Sequence, residues 1–408
     1  MASRLNPLKY LATMHICCIP TILASMRMQE VITEADKLEF LEVALRIYKD
    51  DPNWIRPLDK DIEEVFDPGK NKFFKRGECT RWLLKTETGV TAGRIAAFVN
   101  RQYKQEQPTG GVGFFECDND FEHAAFMFDH CMHWLKERGM EAMDGPINFG
   151  ERDKWWGLLA DGFYPPLYGM TYNPPYYQVL FEQYGFQLYF NQICFALKVK
   201  NRLGDKFYER HAMYAGNPDF SAVKMDKSRL MQFARDFTDI YNKAWAGHGG
   251  GKELEERTVI KMFKTMKPVM DENIIWFVYH KDQPIAMWVN IPDLNQYFKH
   301  LNGKFGLLDK LKFLLLKKFG KCNRFVGIIF GVIPEFQGKG IDAYMIVEGA
   351  KVIQPLNKYE DYEMQWIGDF NPKMINIAES LGTNRSRVLK TYRYLFDRNK
   401  EFHRHKML

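Results

Sequence analysis

Hydrophobic periodicity predicts alternating helices and strands in the first half of the chain. Apolar residues recur at helical spacing after Thr33, a predicted N-cap, and again from Phe121 to Met140. Runs of strand-forming residues are Gln29–Ile32, Thr80–Lys85, Gly93–Val99 and Gly111–Glu116. Because helices alternate with strands, we predict an α/β domain in this half.

The second half repeats the pattern of the first. Its predicted helices are Lys227–Trp245, Glu255–Asp271, Ala343–Ile353 and Asn371–Gly382. Its predicted strands are Ile274–Tyr279, Pro284–Val289, Arg324–Phe330, Tyr362–Ile367 and Arg387–Tyr394. We therefore predict two tandem α/β domains, each with a central mixed sheet flanked by helices.

The length of the chain also favours two domains. A chain of 408 residues is larger than a single core, which stops growing at about 250–300 residues. Glycine, proline and mixed charges accumulate between Lys198 and Phe220, so we place the junction there. The predicted organisation is an N-terminal tail at 1–27, a first domain at 28–198 and a second domain at 199–408.

The tail faintly resembles a signal peptide, because Arg4 and Lys9 precede an apolar run. His15 and Pro20 interrupt that run, however. We expect a disordered tail or an over-long gene start instead.

Composition and charge argue against several classes of protein. The net charge of +6 is mild for this length, so we expect no nucleic-acid partner. The seven cysteines include no C-x-x-C pair and no Cys/His spacing typical of zinc. We therefore expect reduced thiols in a cytoplasmic protein and no metal. No run reaches the ~18 apolar residues that cross a bilayer.

The segment from Leu307 to Phe319 is basic and rich in leucine. A segment of this kind can touch a membrane surface. Because amphipathic helices more often cover a core, we expect an ordinary core-covering helix here.

The segment Gly331–Asp342 links a predicted strand to a predicted helix. Pro334 ends the strand pattern because it has no N–H to donate. Gly338 and Gly340 let the backbone turn tightly and approach a ligand. The first N–H groups of the helix have no partner within it and favour an anion, and Lys339 adds a positive charge. The segment therefore predicts an anion-binding loop.

The order Gln337-x-x-Gly340-x-Asp342 after Val332–Pro334 resembles the acyl-CoA pyrophosphate loop of the GNAT acetyltransferase superfamily, Q/R-x-x-G-x-G/A. Asp342 departs from that pattern, since glycine or alanine is usual there. Further stretches are D-P-N-W, G-R-I-A-A, G-F-F-E, G-P-I-N-F, Y-N-P-P-Y-Y and Q-G-K-G-I-D. Together they resemble uncharacterised bacterial tandem GNAT proteins over about residues 28 to 396.

Two features depart from the GNAT pattern. The acidic segment Cys117–Asp120 of the first half stands where the glycine loop is expected, so we predict that this domain lacks the acyl-CoA site. The tyrosine that is the usual candidate acid for the leaving thiolate is replaced by Phe181 in the first half and by Ala378 in the second.

The resemblance implies that the second domain takes acetyl-CoA or another acyl-CoA as co-substrate. The loop and the following helix start would hold it, with Asn371 and Met374 near the pantetheine arm. The residues so implied are Val332, Ile333, Gln337, Gly338, Lys339, Gly340, Ile341, Asp342, Asn371 and Met374.

The resemblance also implies direct attack of an amine on the thioester, without an acyl-enzyme. Candidate general bases are Glu363 on the strand beside the cleft, Asp369 just past its end, and His248 in a glycine-rich loop. Their structural alternatives are a solvated strand carboxylate, a neighbour of a helix cap and an exposed loop residue. A water chain is a further alternative.

Three functions follow from this resemblance. The first is transfer of an acyl group, acetyl in the simplest case, to the amine of a small molecule. The second is a Fem-like aminoacyl or a long-chain acyl transferase, which the aromatic content of 15% mildly favours. The third is acyl-CoA binding without catalysis, which the missing tyrosines and Asp342 favour. A homodimer is compatible with each of them.

Overall fold

The computed structural model describes residues 26–102, 105–245 and 253–408. The predicted tail lies outside the described residues except for its last two positions, and Arg27 already begins the first strand. The first half contains β1 (Arg27–Glu30), α1 (Glu34–Ile47), α2 (Asp59–Phe66), β2 (Gly77–Lys85), β3 (Thr91–Asn100), β4 (Thr109–Cys117), α3 (Phe121–Lys136), β5 (Ala142–Gly145), β6 (Leu158–Asp161), α4 (Tyr177–Tyr184) and β7 (Gln187–Lys198).

The second half contains α5 (Asp205–Ala212), β8 (Phe220–Lys224), α6 (Leu230–Trp245), α7 (Glu256–Met266), β9 (Ile275–His280), β10 (Gln283–Pro292), α8 (Asn295–Phe298), α9 (Leu307–Phe319), β11 (Arg324–Val332), α10 (Ile341–Ile353), β12 (Asp361–Met364), β13 (Ile367–Gly368), α11 (Pro372–Ser380) and β14 (Asn384–Leu395). α7 ends earlier than predicted because Pro268 cannot continue a helix. The single strand predicted at Tyr362–Ile367 is interrupted and forms β12 and β13.

The described strands form one mixed sheet in the order β1-β2-β3-β4-β5-β14-β7-β12-β11-β10-β9-β8. β6 pairs with β14 and β13 pairs with β7, outside this path. β4 with β5 and β11 with β12 are parallel pairs, and their neighbours in the sheet are antiparallel. The predicted α/β class, with a mixed sheet flanked by helices, is confirmed.

The two halves exchange their last strands. β7 ends the first half but pairs with β12 of the second, and β14 ends the second half but pairs with β5 of the first. β7 and β14 also pair with each other, from Gln187–Arg393 to Ala196–Asn384. The predicted border between residues 198 and 199 therefore does not divide the sheet into two independent parts.

Helices pack on the sheet through apolar faces. α3 buries Met127, Phe128, Cys131 and Leu135 at helical spacing against the first half of the sheet. α6 buries Phe233 and neighbouring residues against the second half in the same way. Among the described helices, none combines the length and apolar character that crossing a bilayer requires.

A buried ion network ties the second half to the first. Glu363 on β12 is 3% exposed, and its Oε1 accepts from Arg387 Nε at 2.7 Å. Its Oε2 accepts from Arg324 Nη1 at 3.3 Å. Arg387 on β14 also donates to the carbonyls of Tyr164, at 2.8 Å, and Pro165, at 3.0 Å. Removing one partner of a buried ion pair leaves an uncompensated charge, so each member of this network depends on the others.

We expect Arg387→Ala to destabilise the protein by about 3–5 kcal/mol, because Glu363 then stays buried without its main partner. Arg385→Ala is the matched control: Arg385 lies on the same strand, is exposed and pairs with exposed Glu379, so its loss should cost less than about 1 kcal/mol. Urea unfolding followed by tryptophan fluorescence measures both variants. Equal midpoints for the two variants would contradict the role of the network.

Candidate functional site

β11 and β12 run side by side and then separate. The last pair in their register is Gly327 with Met364, and the N–H of Gln365 donates to the Gly327 carbonyl at 3.0 Å. The chain then turns away, and β13 pairs with β7 instead. β11 continues to Val332 beside β10. A gap therefore opens beside the last residues of β11.

β11 also carries an irregularity at the start of this gap. Gly327 pairs with Asn290 and Ile329 pairs with Val289, so the register skips Ile328. An extra residue of this kind bends a strand and increases its twist. The bend lies at the position where β11 leaves β12.

A cavity of ≈ 600 Å³ occupies the gap. β11 and β12, α10 and α11, and the end of α6 contribute its walls. Aromatic residues on these walls include Trp245, Trp288, Phe325, Phe330, Trp366 and Phe370. None of the described residues that line the cavity is Asp, Glu, Lys, Arg or His. Pockets for drug-sized ligands measure about 300–1,000 Å³, so this uncharged cavity accommodates a sizeable apolar group.

Tyr362 places a hydroxyl where the two strands separate. Its oxygen accepts a hydrogen bond from Trp288 Nε1 at 3.2 Å, and burial raises the pKa of Tyr362 to about 12. A Cβ at Gly327 would stand 2.3 Å from that hydroxyl, so a side chain there would displace it. Tyr362 therefore remains protonated at neutral pH.

The loop after β11 leads into α10 through two glycines in the left-handed region. Gly338 has a φ of 71° and Gly340 a φ of 89°, values that favour glycine over other residues. Gly340 is the N-cap of α10, and no described side chain caps this helix. The first N–H groups of the helix are therefore open to a ligand, and the helix dipole favours a negative one.

Hydrogen bonds from side chains fix this loop. Gln337 Nε2 donates to the Val332 carbonyl at 2.9 Å, and the Tyr214 hydroxyl donates to the Lys339 carbonyl at 2.6 Å. Burial, with a smaller contribution from the charge of Asp342, raises the pKa of Tyr214.

Proteins with similar sequences come from two bacteria. The chain is 28% identical over 383 residues to "Bacterial ceramide synthase" of Caulobacter vibrioides (strain NA1000 / CB15N), covering 90% of this chain and 97% of that protein. It is 23% identical over 370 residues to "Protein YghO" of Escherichia coli (strain K12), covering 88% of this chain and 93% of that protein. No protein-family model matches the chain.

Solved structures share the architecture. A tandem GNAT protein from the clavulanic acid biosynthesis pathway matches 92% of this chain and 100% of its own, with a TM-score of 0.50 and 8% identity. The chain has the tandem GNAT fold. A fungal multi-domain GH3 β-N-acetylglucosaminidase, which contains a GCN5-related glucosamine N-acetyltransferase region, matches with a TM-score of 0.54 and 10% identity. That match covers 91% of this chain, which spans only 38% of the fungal protein.

In the first GNAT unit the corresponding strands β4 and β5 also separate, but a side chain caps the N-terminus of the helix that follows. β4 and β5 pair up to Gly111 with Asp144. The N-terminus of α3 is capped by Asp120, whose Oδ1 accepts from the N–H groups of Glu122 at 2.8 Å and His123 at 3.2 Å. These are the donors that an anion would need. The capping carboxylate gives a physical reason to expect no pyrophosphate site in this unit.

The residues predicted to hold acyl-CoA form two groups in the second GNAT unit. Gln337, Gly338 and Lys339 lie exposed in the loop, whereas Ile333 and Ile341 are buried. The Ile333 N–H is already bonded to the Ile285 carbonyl at 2.9 Å.

Across the gap, Asn371 and Met374 line the cavity from α11. Asn371 also caps this helix, because its Oδ1 accepts from the Met374 N–H at 3.2 Å.

The predicted general bases are not brought together in the cavity. Glu363 is buried in the ion network with Arg387 and does not line the cavity, so the structure argues against its role as base. Asp369 accepts from Asn191 Nδ2 at 2.8 Å and Arg404 Nη2 at 2.6 Å, and it too is absent from the described lining. His248 lies outside the described residues.

Sequence reasoning missed Tyr362 and the aromatic cavity wall. Neighbouring residues of a strand point to opposite faces, so Tyr362 and Glu363 cannot both face the gap. Glycine at 327, in the neighbouring strand, was the signal for a large side chain beside it. No sequence pattern near Trp245, at the end of α6, indicated that this residue contributes to the cavity wall.

We expect Gly327→Ala to destabilise the protein by about 1–3 kcal/mol, because the new methyl group overlaps the Tyr362 hydroxyl. In a Tyr362→Phe background the same change should cost at least ~0.5 kcal/mol less, which a double-mutant cycle from urea unfolding measures. Gly216→Ala serves as control, since nothing lies within 4 Å of a Cβ there. Additive effects of the two changes would show that the hydroxyl does not occupy this position.

Proposed function

We propose that the protein is an acyl-CoA-dependent N-acyltransferase that moves a long acyl chain to the amine of an apolar amino compound. The observation that supports this most is the uncharged cavity of ≈ 600 Å³ between β11 and β12. The acetyl transfer expected from the sequence would use little of this space. A long alkyl chain would fill it and would bury apolar surface, at about 25 cal/mol per Å².

Its relative from Caulobacter vibrioides supports the same substrate class. That protein is named for the synthesis of ceramide, and a ceramide is a long-chain amino alcohol acylated on its nitrogen. The match covers 90% of this chain, including both GNAT units. We therefore propose a long-chain amine as the acceptor class.

The loop before α10 would hold the diphosphate of the acyl-CoA. Open N–H groups at the start of α10 and the exposed ammonium of Lys339 supply the positive potential. The unpaired edge of β11 beyond Gly327 offers backbone groups to the extended pantetheine arm. The acyl chain would then enter the cavity beside this strand.

Transfer needs no nucleophile from the protein. The neutral amine nitrogen attacks the thioester carbon and the carbon–sulfur bond breaks. Water takes the proton from the nitrogen and returns one to the group that protonates the sulfur, so the step balances. None of the described cavity-lining residues is Cys or Ser, which agrees with direct attack. We assign Tyr362 as the proton donor to the leaving thiolate, because it lines the cavity on β12 where β11 and β12 separate.

Acyl transfer by the purified protein tests this proposal. We expect amide formation from long-chain acyl-CoAs and a long-chain amino alcohol, with release of free CoA thiol. Ala350 lines the cavity from α10, so Ala350→Phe should lower the ratio of kcat/KM for long over short acyl-CoAs at least about tenfold. Ala125→Phe is the control, since Ala125 is equally half-buried on a helix of the first unit.

Other outcomes would redirect the assignment. Turnover of acetyl-CoA alone, or of aminoacyl-tRNA and no acyl-CoA, would overturn the long-chain proposal. Acyl-CoA binding with no thiol release against any amine would support an acyl-CoA-binding protein without catalysis.

We expect Gly340→Val to weaken CoA binding at least about tenfold, which corresponds to ~1.4 kcal/mol. A β-branched residue is strained at a φ of 89°, and its Cβ would meet the Arg210 side chain at 3.1 Å. The start of α10 must then shift, and its N–H groups with it. Calorimetric titration with CoA measures the change. Gly216→Val is the control, and unchanged affinity of Gly340→Val would place the diphosphate elsewhere.

A further inference from the structure

α9 has two apolar faces, only one of which meets the protein. Phe313 is its one buried residue and packs against the rings of Tyr297, Phe298 and Phe305. A core-covering helix, as expected from the sequence, would bury most of its large apolar residues. α9 does not, so its other apolar residues require a separate explanation.

The outward face of α9 consists of large apolar side chains. They are 50–86% exposed and are Leu307, Leu308, Leu311, Leu314, Leu315 and Phe319. At 3.6 residues per turn they fall within an arc of about 140° on the side opposite Phe313. Soluble proteins rarely expose contiguous apolar surface without using it.

Lysines border this apolar arc. Lys310 lies along one margin of the arc, and Lys318 projects from within it. Lys317 and Lys312 also lie along its margins, but their ammonium groups donate to the carbonyls of Pro268 and, at 2.6 Å, of His300. The single acid of the helix, Asp309, points inward and accepts from the Gly306 N–H at 2.9 Å. The outward side of α9 therefore combines apolar side chains with positive charge alone.

We propose that α9 docks on an anionic lipid bilayer, with its axis parallel to the surface. The apolar arc would enter the acyl boundary, and Lys310 and Lys318 would reach the phosphates of the headgroups. A lysine-bordered apolar face on a helix that cannot span the bilayer is the signature of such interfacial helices. Lysine stems also extend along apolar surface while their charges remain in the polar layer.

Charge complementarity favours lipid over a second copy of the chain. Two copies that met through this face by a two-fold axis would bring the same lysines together. The cores of protein interfaces are depleted of lysine, whereas anionic leaflets attract it. This proposal rests on the surface of α9 and does not depend on the proposed function.

Co-sedimentation of the full chain with vesicles tests it. We expect binding to phosphatidylglycerol vesicles, at least about tenfold weaker binding to phosphatidylcholine vesicles, and loss of affinity with added salt. The triple variant Leu308→Gln, Leu311→Gln and Leu315→Gln should bind anionic vesicles at least about tenfold more weakly. These side chains are exposed, so the thermal midpoint should not change.

Matched variants distinguish vesicle binding through α9 from general effects of surface substitutions. Leu38→Gln, Val90→Gln and Val179→Gln change three apolar residues of the first unit that are 54–59% exposed, and this variant should bind like the parent. Lys310→Gln with Lys318→Gln should weaken binding to anionic vesicles and reduce its salt dependence.

Three results would overturn the proposal. The first is failure of the parent protein to bind anionic vesicles at low salt, and the second is unchanged binding by the triple leucine variant. The third is a dimer in sedimentation velocity that the triple leucine variant dissociates, which would assign the face to a second copy. Because these measurements use no substrate, none of the three results bears on the acyl-transfer proposal.

Discussion

The exchange of β7 and β14 is the constraint on which the rest of the molecule depends. Each GNAT unit lacks a central strand until the other unit supplies it, because β14 completes the sheet beside β5 and β7 completes it beside β12. Main-chain hydrogen bonds therefore run without interruption from one half to the other. The buried contacts of Arg387 with Glu363 and with the carbonyls of the first half add side-chain ties across the same junction.

The exchange also creates the cavity. β12 lies between β11 and β7. After Met364 the chain no longer pairs with β11, but it pairs with β7 again through β13. The bend at Ile328 carries β11 away on the other side. β7, a strand of the first unit, thus positions β12 and β13 on one side of the gap in the second unit. This explains how a first unit with a capped α3 contributes to a site that it does not itself contain.

Local signals predicted much of the fold and part of the site. The turn at Gly340 could be read from the sequence because its cause, a left-handed glycine before a helix, lies within a few residues. The contact of Glu363 with Arg387 could not be predicted, because the exchanged strand brings Arg387 to it and no local pattern reveals that exchange. The cavity was not predicted for a related reason, because its volume depends on where β12 stops pairing with β11. Tyr362 could have been identified from the sequence, because side chains alternate between the two faces of a strand.

The exchanged strand also sets an order of events during synthesis on the ribosome. Asp144 on β5 and Arg393 on β14 form a buried ion pair across 249 positions of sequence, with Nε to Oδ1 at 2.6 Å. At about 5–20 residues per second, β5 waits roughly 12 to 50 s for its neighbour. The first unit therefore spends most of translation with an open edge and an unpaired carboxylate. Its sheet is completed only when β14 has been made, so a chain cut short before β14 leaves the first unit without this strand and Glu363 of the second unit without Arg387.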